Sequence, residues 1–151
     1  LRDGLTGLYN RRAWEQLVNA EEERCKRYGH PTAVFFICLN NLKKVNDSLG
    51  HNKGDDLIQQ AAHVLRDTAR SNDIVARFGG DEFVILSVEN DEMGAKLLLN
   101  RIKEALAQAN ICAAIGVAMR HPTHGLFKAI IDADQKMFEH KRQIKSEDQK
   151  I

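Results

Sequence analysis

Apolar residues along this chain fall into blocks whose spacing switches between helical and strand-like. Trp14, Leu17 and Val18 recur at helical spacing among charged neighbours, which predicts a helix over 11–27 with Asn10 as its N-cap. Gly29-His30-Pro31 then stops it. Thr32 to Leu39 is a continuous apolar run rich in aromatic and β-branched residues, the pattern of a strand buried on both faces. Leu57, Ile58, Ala61, Ala62, Val64 and Leu65 predict a second amphipathic helix over 55–70. Two short strand-like runs, 73–77 and 83–88, flank Gly79-Gly80 and so read as a hairpin. A third helix is expected over 92–107, a further strand over 111–119, and a last helix from Leu126 to about Lys141. The polar stretch from Arg142 is expected to fray. Helices and strands interleave around an adjacent hairpin, so the pattern predicts an α/β fold, a mixed sheet with helices on its faces.

At 151 residues the chain suits one domain with a single core, and its 43% hydrophobic and 28% charged fractions are ordinary for a globular protein. A net charge of +1 gives no overall field for a nucleic-acid polymer or an anionic membrane. Any phosphate site must therefore come from local placement of Arg and Lys. The longest apolar run, Ala33 to Leu39, is far short of the ~18 residues of a membrane helix. No secretory signal is visible, and the chain opens inside a motif, as an excised fragment would. Cys25, Cys38 and Cys112 have no metal-type spacing and are expected as free thiols in a reducing cytoplasm.

The hairpin tip is the first place for chemistry. Gly79 and Gly80 permit positive φ and close approach of a ligand to the backbone. Asp81 and Glu82 follow at once, and strand alternation lets only one of them face a given ligand directly. From the tip alone, an ordinary hairpin with polar residues accounts for the pattern equally well.

The wider pattern resembles the GGDEF domain of diguanylate cyclases. Asp3-x-Leu5-Thr6-x-Leu8-x-Asn10-Arg11-Arg12 is similar to the family's opening signature. Lys43-x-Val45-Asn46-Asp47-x-x-Gly50-His51-x-x-Gly54-Asp55 matches its central stretch, and Arg77-x-Gly79-Gly80-Asp81-Glu82-Phe83 its name motif. Ile115-Gly116-Val117, and Ala133-Asp134 followed by Lys141, match two late motifs. Five ordered matches cover nearly the whole chain and place the domain at 1–146, with a polar tail at 147–151.

That resemblance implies a fold similar to the palm of adenylyl cyclases and polymerases, with a mostly antiparallel sheet of about five strands flanked by helices. It implies a nucleotidyl transfer in which two GTP become cyclic di-GMP plus pyrophosphate across a homodimer. Two divalent ions, usually Mg²⁺, would activate the hydroxyl and neutralise phosphate. Carried over by resemblance, Asp81 is a metal ligand with Glu82 beside it, and Asn46 and Asp55 recognise guanine. Lys43 and Lys141 touch phosphate, as do backbone N–H groups near Asn41 and Leu42. Lys145 and Ser146 stand where the family has a late Arg and Asn. Sensory or other signalling domains are expected outside this fragment, and no membrane contact by the domain itself.

One departure is chemical. The family carries Asp-x-Asp at the end of the first strand, where this chain has Cys38 and Asn40. Neither supplies an anionic oxygen, and thiols suit hard Mg²⁺ poorly, so Mg²⁺ binding is expected to be weakened. A separate feature matches the family's inhibitory cyclic di-GMP site: Arg70 and Asp73 form the Arg-x-x-Asp, with Arg101 assisting from the next helix.

Plainer roles are expected elsewhere: Trp14 in the core, His51 holding a loop near the nucleotide, and His121, His124 and His140 on the surface. Cys112 is expected as a small buried apolar residue. Three functional readings follow. The first is a degenerate domain binding GTP and/or cyclic di-GMP, the second an active diguanylate cyclase, and the third a dimerisation scaffold without nucleotide. Cys38 and Asn40 favour the first over the second, and Asn46, Asp55, Arg70 and Asp73 favour it over the third.

Overall fold

The computed structural model describes residues 1–149; residues 150 and 151, the end of the expected polar tail, lie outside the described residues. In chain order the elements are α1 (Arg11–Tyr28), β1 (Ala33–Leu39), α2 (Leu42–Leu49), α3 (His51–Thr68), β2 (Ile74–Arg77), β3 (Glu82–Ser87), α4 (Glu92–Gln108), β4 (Ala113–Met119) and α5 (Gly125–Gln149). The sheet has four strands in the order β2-β3-β1-β4, not about five. Every pairing in it is antiparallel, so it is not mixed.

β1 is central because all seven of its residues are apolar and buried. Its alternation divides the core between two faces. Phe35, Ile37 and Leu39 pack with Ile58 and Leu65 of α3 and with Leu98 and Ile102 of α4. Val34, Phe36 and Cys38 pack with Trp14 and Val18 of α1 and with Leu126, Ala129 and Met137 of α5. The result is helices, sheet, helices: three layers. Burying side chains of this size stabilises by about 1.5–3 kcal/mol each, and Trp14, only 2% exposed, lies where expected in the helix–sheet contact.

Local chemistry sets the helix ends. Asn10 accepts from the Ala13 N–H at the start of α1, and Gly29 ends that helix in the left-handed region (φ 72). Glu22 of α1 caps α5 from a distance: its carboxylate accepts the Leu126 N–H (2.8 Å) and two bonds from Arg120 (2.9 Å each). The Arg120 guanidinium is the largest influence on that carboxyl and holds it below the usual range.

Three boundaries differ from the sequence pattern. α2 is an extra helix; none of its residues is buried, so the apolar stripe that announces a helix is thin. α3 starts at His51 rather than near Asp55, because Gly50 (φ 88) reverses the chain directly out of α2. α5 does not end near Lys141. It runs on to Gln149, and Ile144 rests against the core below, which holds the polar segment helical.

β4 and α5 meet at Gly116. A Cβ at that position would strike the Ala133 carbonyl oxygen and the Met137 amide nitrogen, and would lie 2.9 Å from the Lys136 carbonyl carbon. The helix backbone therefore rests directly on the strand. Among the described residues no helix is long and apolar enough to cross a membrane.

Candidate functional site

The C-terminal end of β1 opens into a cleft of about 350 Å³ framed by α2, the β2–β3 turn and the end of α5. Its lining includes Asn40, Asn41, Leu42, Lys43, Lys44, Asp81, Lys141 and Lys145. Asn41 takes a left-handed conformation (φ 69), which turns the chain from strand to helix and leaves the first N–H groups of α2 without a side-chain cap. Uncapped amides at a helix start favour an anion. Four ammonium groups face one carboxylate here, so a near-neutral chain concentrates positive charge in one cleft. This arrangement suits a polyphosphate. Lys44 was not singled out by the sequence pattern, although its place one residue after Lys43 puts it in the same first turn.

The carboxylates sit on the cleft's far side. Asp81 and Glu82 are both half-buried at the turn. Burial, then the neighbouring charges of Asp81 and Asp134, push the Glu82 carboxyl above its ordinary value. Across the strand pair, Cys38 lies in register with Glu82. The Cys38 thiol is buried, and that burial, with Asp81 nearby, pushes it up to about 11. It is therefore a neutral thiol at physiological pH. The Lys141 ammonium donates to its sulfur at 3.5 Å. Asn40 turns away and donates its amide to the Cys112 sulfur at 3.4 Å. A pair of hard divalent ions would need several anionic oxygens at this point. Cys38 and Asn40 provide none, and the donor set does not fit a two-ion cluster. Among the described residues, the one group of three clustered metal-ligating side chains lies elsewhere.

Asn46 and Asp55 come from α2 and α3 respectively. Gly54 lets the two helices approach so closely that a Cβ there would strike the Asn46 side chain. Within this contact the Asn46 Oδ1 is buried and has no hydrogen-bond partner. A buried acceptor left unmet costs about 1–3 kcal/mol. The oxygen faces Gly54 within the helix pair, and exposed Asp55 stands one residue beyond that glycine.

The turn itself is pinned by a residue that the sequence pattern left without a role. Arg77 donates to the carbonyls of Gly79 (3.1 Å) and Gly80 (3.0 Å) and reaches Asp3 (3.3 Å). Asp3 is held in turn by the backbone N–H and hydroxyl of Thr6. The opening signature and the turn thus form one hydrogen-bonded unit. Neither Gly79 nor Gly80 takes positive φ, contrary to expectation. A Cβ on Gly80 would meet nothing, and one on Gly79 would make only ordinary contact with Glu82. What the pair leaves is open space at the tip.

Arg70 and Asp73 are brought together, but they face each other. Arg70 leaves the end of α3 and grips the Asp73 carboxylate at 3.0 Å, while also reaching Ser87 (3.2 Å) and the Val88 carbonyl. The Asp73 side chain is fully buried and also accepts from the Arg70 N–H and the Ser87 hydroxyl. Arg70 remains 39% exposed and, with Arg24, lines an open cleft of about 650 Å³. Arg101 is outside that lining and donates to the Thr68 carbonyl at 3.5 Å.

Two minor expectations are corrected. Cys112 is exposed, because it precedes the first residue of β4 instead of lying within the strand. His140 is part-buried and accepts the Ile115 N–H at 2.9 Å, closing a gap at the edge of the sheet. His51, His121 and His124 are exposed, and all three cysteines are free.

Similarity to known proteins points the same way. The family model described as "Diguanylate cyclase, GGDEF domain" matches residues 1–147. "Probable diguanylate cyclase DgcC" of Escherichia coli K12 is 33% identical over 129 residues, which cover 80% of this chain and 35% of that protein. "Cyclic di-GMP phosphodiesterase NbdA" of Pseudomonas aeruginosa PAO1 is 38% identical over 106 residues, covering 70% of this chain and 14% of that one. The chain thus spans about a third or less of these relatives. A solved microbial GGDEF domain, described with bis-cyclic di-GMP, superposes with TM-score 0.85 at 31% identity, over 95% of this chain and 91% of the other.

Proposed function

The chain belongs to the GGDEF domain family, and from that membership we propose that it serves cyclic di-GMP signalling as a domain that holds GTP, cyclic di-GMP or both while joining two GTP poorly. The observation that carries this reading is the lopsided cleft at the end of β1. Its phosphate side is complete: uncapped α2 amides with Lys43, Lys44, Lys141 and Lys145. Its metal side has Asp81 and Glu82 but a neutral Cys38 thiol and an Asn40 turned toward Cys112. GTP binding needs the first and cyclisation needs both.

In this reading the lysines and α2 amides neutralise the triphosphate, and Lys141 spans the cleft between it and Cys38. Asn46 and Asp55 read the guanine edge, Asn46 by turning its amide out of the contact with Gly54. Mg²⁺ would reach the nucleotide mainly through its own phosphates. The second reading, an active cyclase working as a homodimer, draws support from Asp81, Glu82 and the DgcC similarity. A stretch similar to this chain also occurs in NbdA, a protein named for the opposite activity. A scaffold without nucleotide leaves the cationic cleft without a purpose.

For cyclic di-GMP the proposed site is the cleft beside Arg70, with Arg24 opposite. Asp73 acts here by anchoring Arg70, since its carboxylate is already fully engaged. Arg101 would join only by swinging away from Thr68. A charged hydrogen bond is worth about 1.5–3 kcal/mol, so Arg70→Ala is expected to weaken cyclic di-GMP binding by about tenfold or more. Isothermal calorimetry measures this directly. No heat with the parent chain, or equal affinity in the variant, would remove the site. GTP binding, titrated separately, should be unaffected by Arg70→Ala and lost with Lys43→Ala and Lys141→Ala combined.

A further inference from the structure

At the opposite end of β1 the structure gathers a second set of metal-ligating groups, and we propose that Glu21, Cys25 and His30 form a site for a divalent cation of the Zn²⁺ class. Glu21 and Cys25 are four residues apart on α1 and so share one face of the helix. The chain leaves the helix at Gly29 and folds back, which brings His30 over that face. One ligand atom from each of the three lies within 4.8 Å of the others. Glu21 Oε2 is 3.0 Å from His30 Nε2 and 3.6 Å from the Cys25 sulfur. The edges of a tetrahedral zinc site are roughly 3.4–3.7 Å, as its bond lengths require. The groups need to shift by only a fraction of that to close on an ion.

Their surroundings hold the ligand atoms in place. Glu21 is only 2% exposed and Cys25 1%, a burial that carboxylates tolerate only with strong partners. Arg24 takes the other Glu21 oxygen, at 2.8 Å, and leaves Oε2 to the cluster. Thr32 donates to Oε2 at 3.0 Å and lies 3.3 Å from the Cys25 sulfur, so it orients both. The second nitrogen of His30 has Glu89 3.8 Å away. A carboxylate behind the distal nitrogen is how metal-bound imidazoles are commonly held. An entry route exists as well: a cleft of about 410 Å³ opens on Cys25 and His30 between Gly29, Pro31, Arg120 and Pro122. The charge of Arg120 is met by its bidentate pair with Glu22.

One thiolate, one imidazole and one carboxylate make a borderline donor set, which selects zinc over magnesium. On capture the Cys25 thiol releases its proton to water, so Cys25 and Glu21 bring two negative charges to the ion, the second shared with Arg24. Such an ion would clamp the end of α1 to the entry of β1.

The test uses the whole chain, stripped with a chelator and titrated with Co²⁺ and then Zn²⁺. One equivalent of Co²⁺ should give a thiolate-to-cobalt absorption band that Zn²⁺ displaces. Cys25→Ser should abolish the band, while Cys38→Ser and Cys112→Ser should keep it. His30→Gln, which alters only the part-exposed ligand, should lower Zn²⁺ affinity by about tenfold or more and cancel any Zn²⁺-induced rise in melting temperature. That variant decides the matter if Cys25→Ser does not fold. No thiolate band in the parent chain, a band that follows Cys112 or Cys38 instead of Cys25, or unchanged affinity in His30→Gln overturns the proposal.

Discussion

Replacing Cys38 and Asn40 together by aspartate is expected to raise cyclic di-GMP formation from GTP and Mg²⁺ by about 10–100-fold, given that even indirect support of a metal site is worth that much. The parent chain, assayed beside it by HPLC, should form little or no product. The surroundings are ready for the first of these carboxylates. Lys141 already points its ammonium at the position 38 side chain from 3.5 Å, so an aspartate there gains an immediate counter-charge in place of an unpaired burial. Asp81 and Glu82 remain on the facing turn to share the ion. At position 40 the cost is small, because the side chain gives up one weak bond to the Cys112 sulfur. Efficient product formation by the parent chain overturns the proposed impairment. A double variant as inert as its parent, yet still binding GTP, places the defect outside the first strand. Both proteins must be compared at matched, high concentration, since the reaction brings two nucleotide sites together.

Gly116→Ala is the substitution expected to harm folding most. The new methyl group would enter the backbone of α5 at Ala133, Lys136 and Met137, where no flexible side-chain end can yield. Relief requires β4 and α5 to separate, and with them the layer that holds Leu126, Ala129, Ala133 and Met137. Overpacking typically costs 1–3 kcal/mol, and a backbone-on-backbone clash belongs at the upper end, about 3 kcal/mol. For a domain of this size that corresponds to a fall of roughly 6–12 °C in melting temperature. Gly80→Ala provides the contrast, because its Cβ would meet nothing and φ there is not positive. A thermal melt of Gly116→Ala within 2 °C or so of the parent would mean that α5 does not sit on the strand as described.

Much of this architecture was legible in the apolar pattern because the pattern and the packing coincide. A run of seven apolar residues, rich in aromatic and β-branched types and preceded by Gly29 and Pro31, favours a two-faced strand over a helix, and β1 is that strand. The hairpin and Trp14 were equally open to reading. The elements not legible in the sequence have weak apolar signals. α2 buries no residue, and its apolar positions, Leu42, Val45 and Leu49, are too few to mark a helix between two polar stretches. The last turns of α5 look polar, yet Ile144 alone gives them a hold on the core.

At the sites, residue identity was legible and orientation was not. Arg70 and Asp73 read along the chain as two groups for one ligand, and only three dimensions reveal that the Asp73 carboxylate points inward and is used by Arg70 itself. Cys112 reads as a strand residue because two apolar positions bracket it, whereas the strand begins just after it. Cys25 shows no metal spacing along the chain because its partners are reached by a helical turn on one side and a left-handed stop on the other. Arg77 needed Asp3, 74 residues earlier, before its role as a clamp on the turn could appear.

β1 carries a different chemistry at each end: the lysine-rich cleft beyond Leu39, and the Glu21, Cys25 and His30 group beside Thr32. Seven residues of extended chain set these ends roughly 20 Å apart, and the strand between them is buried along its whole length. Mobile ions do not enter that interior, so salt attenuates little of a field that passes through the core. A carboxylate restored at position 38, or a nucleotide gained or lost beside it, is weakened at His30 by distance and by the protein's own dielectric alone. β1 is also paired along both edges, so any displacement of the strand would carry its two neighbours with it.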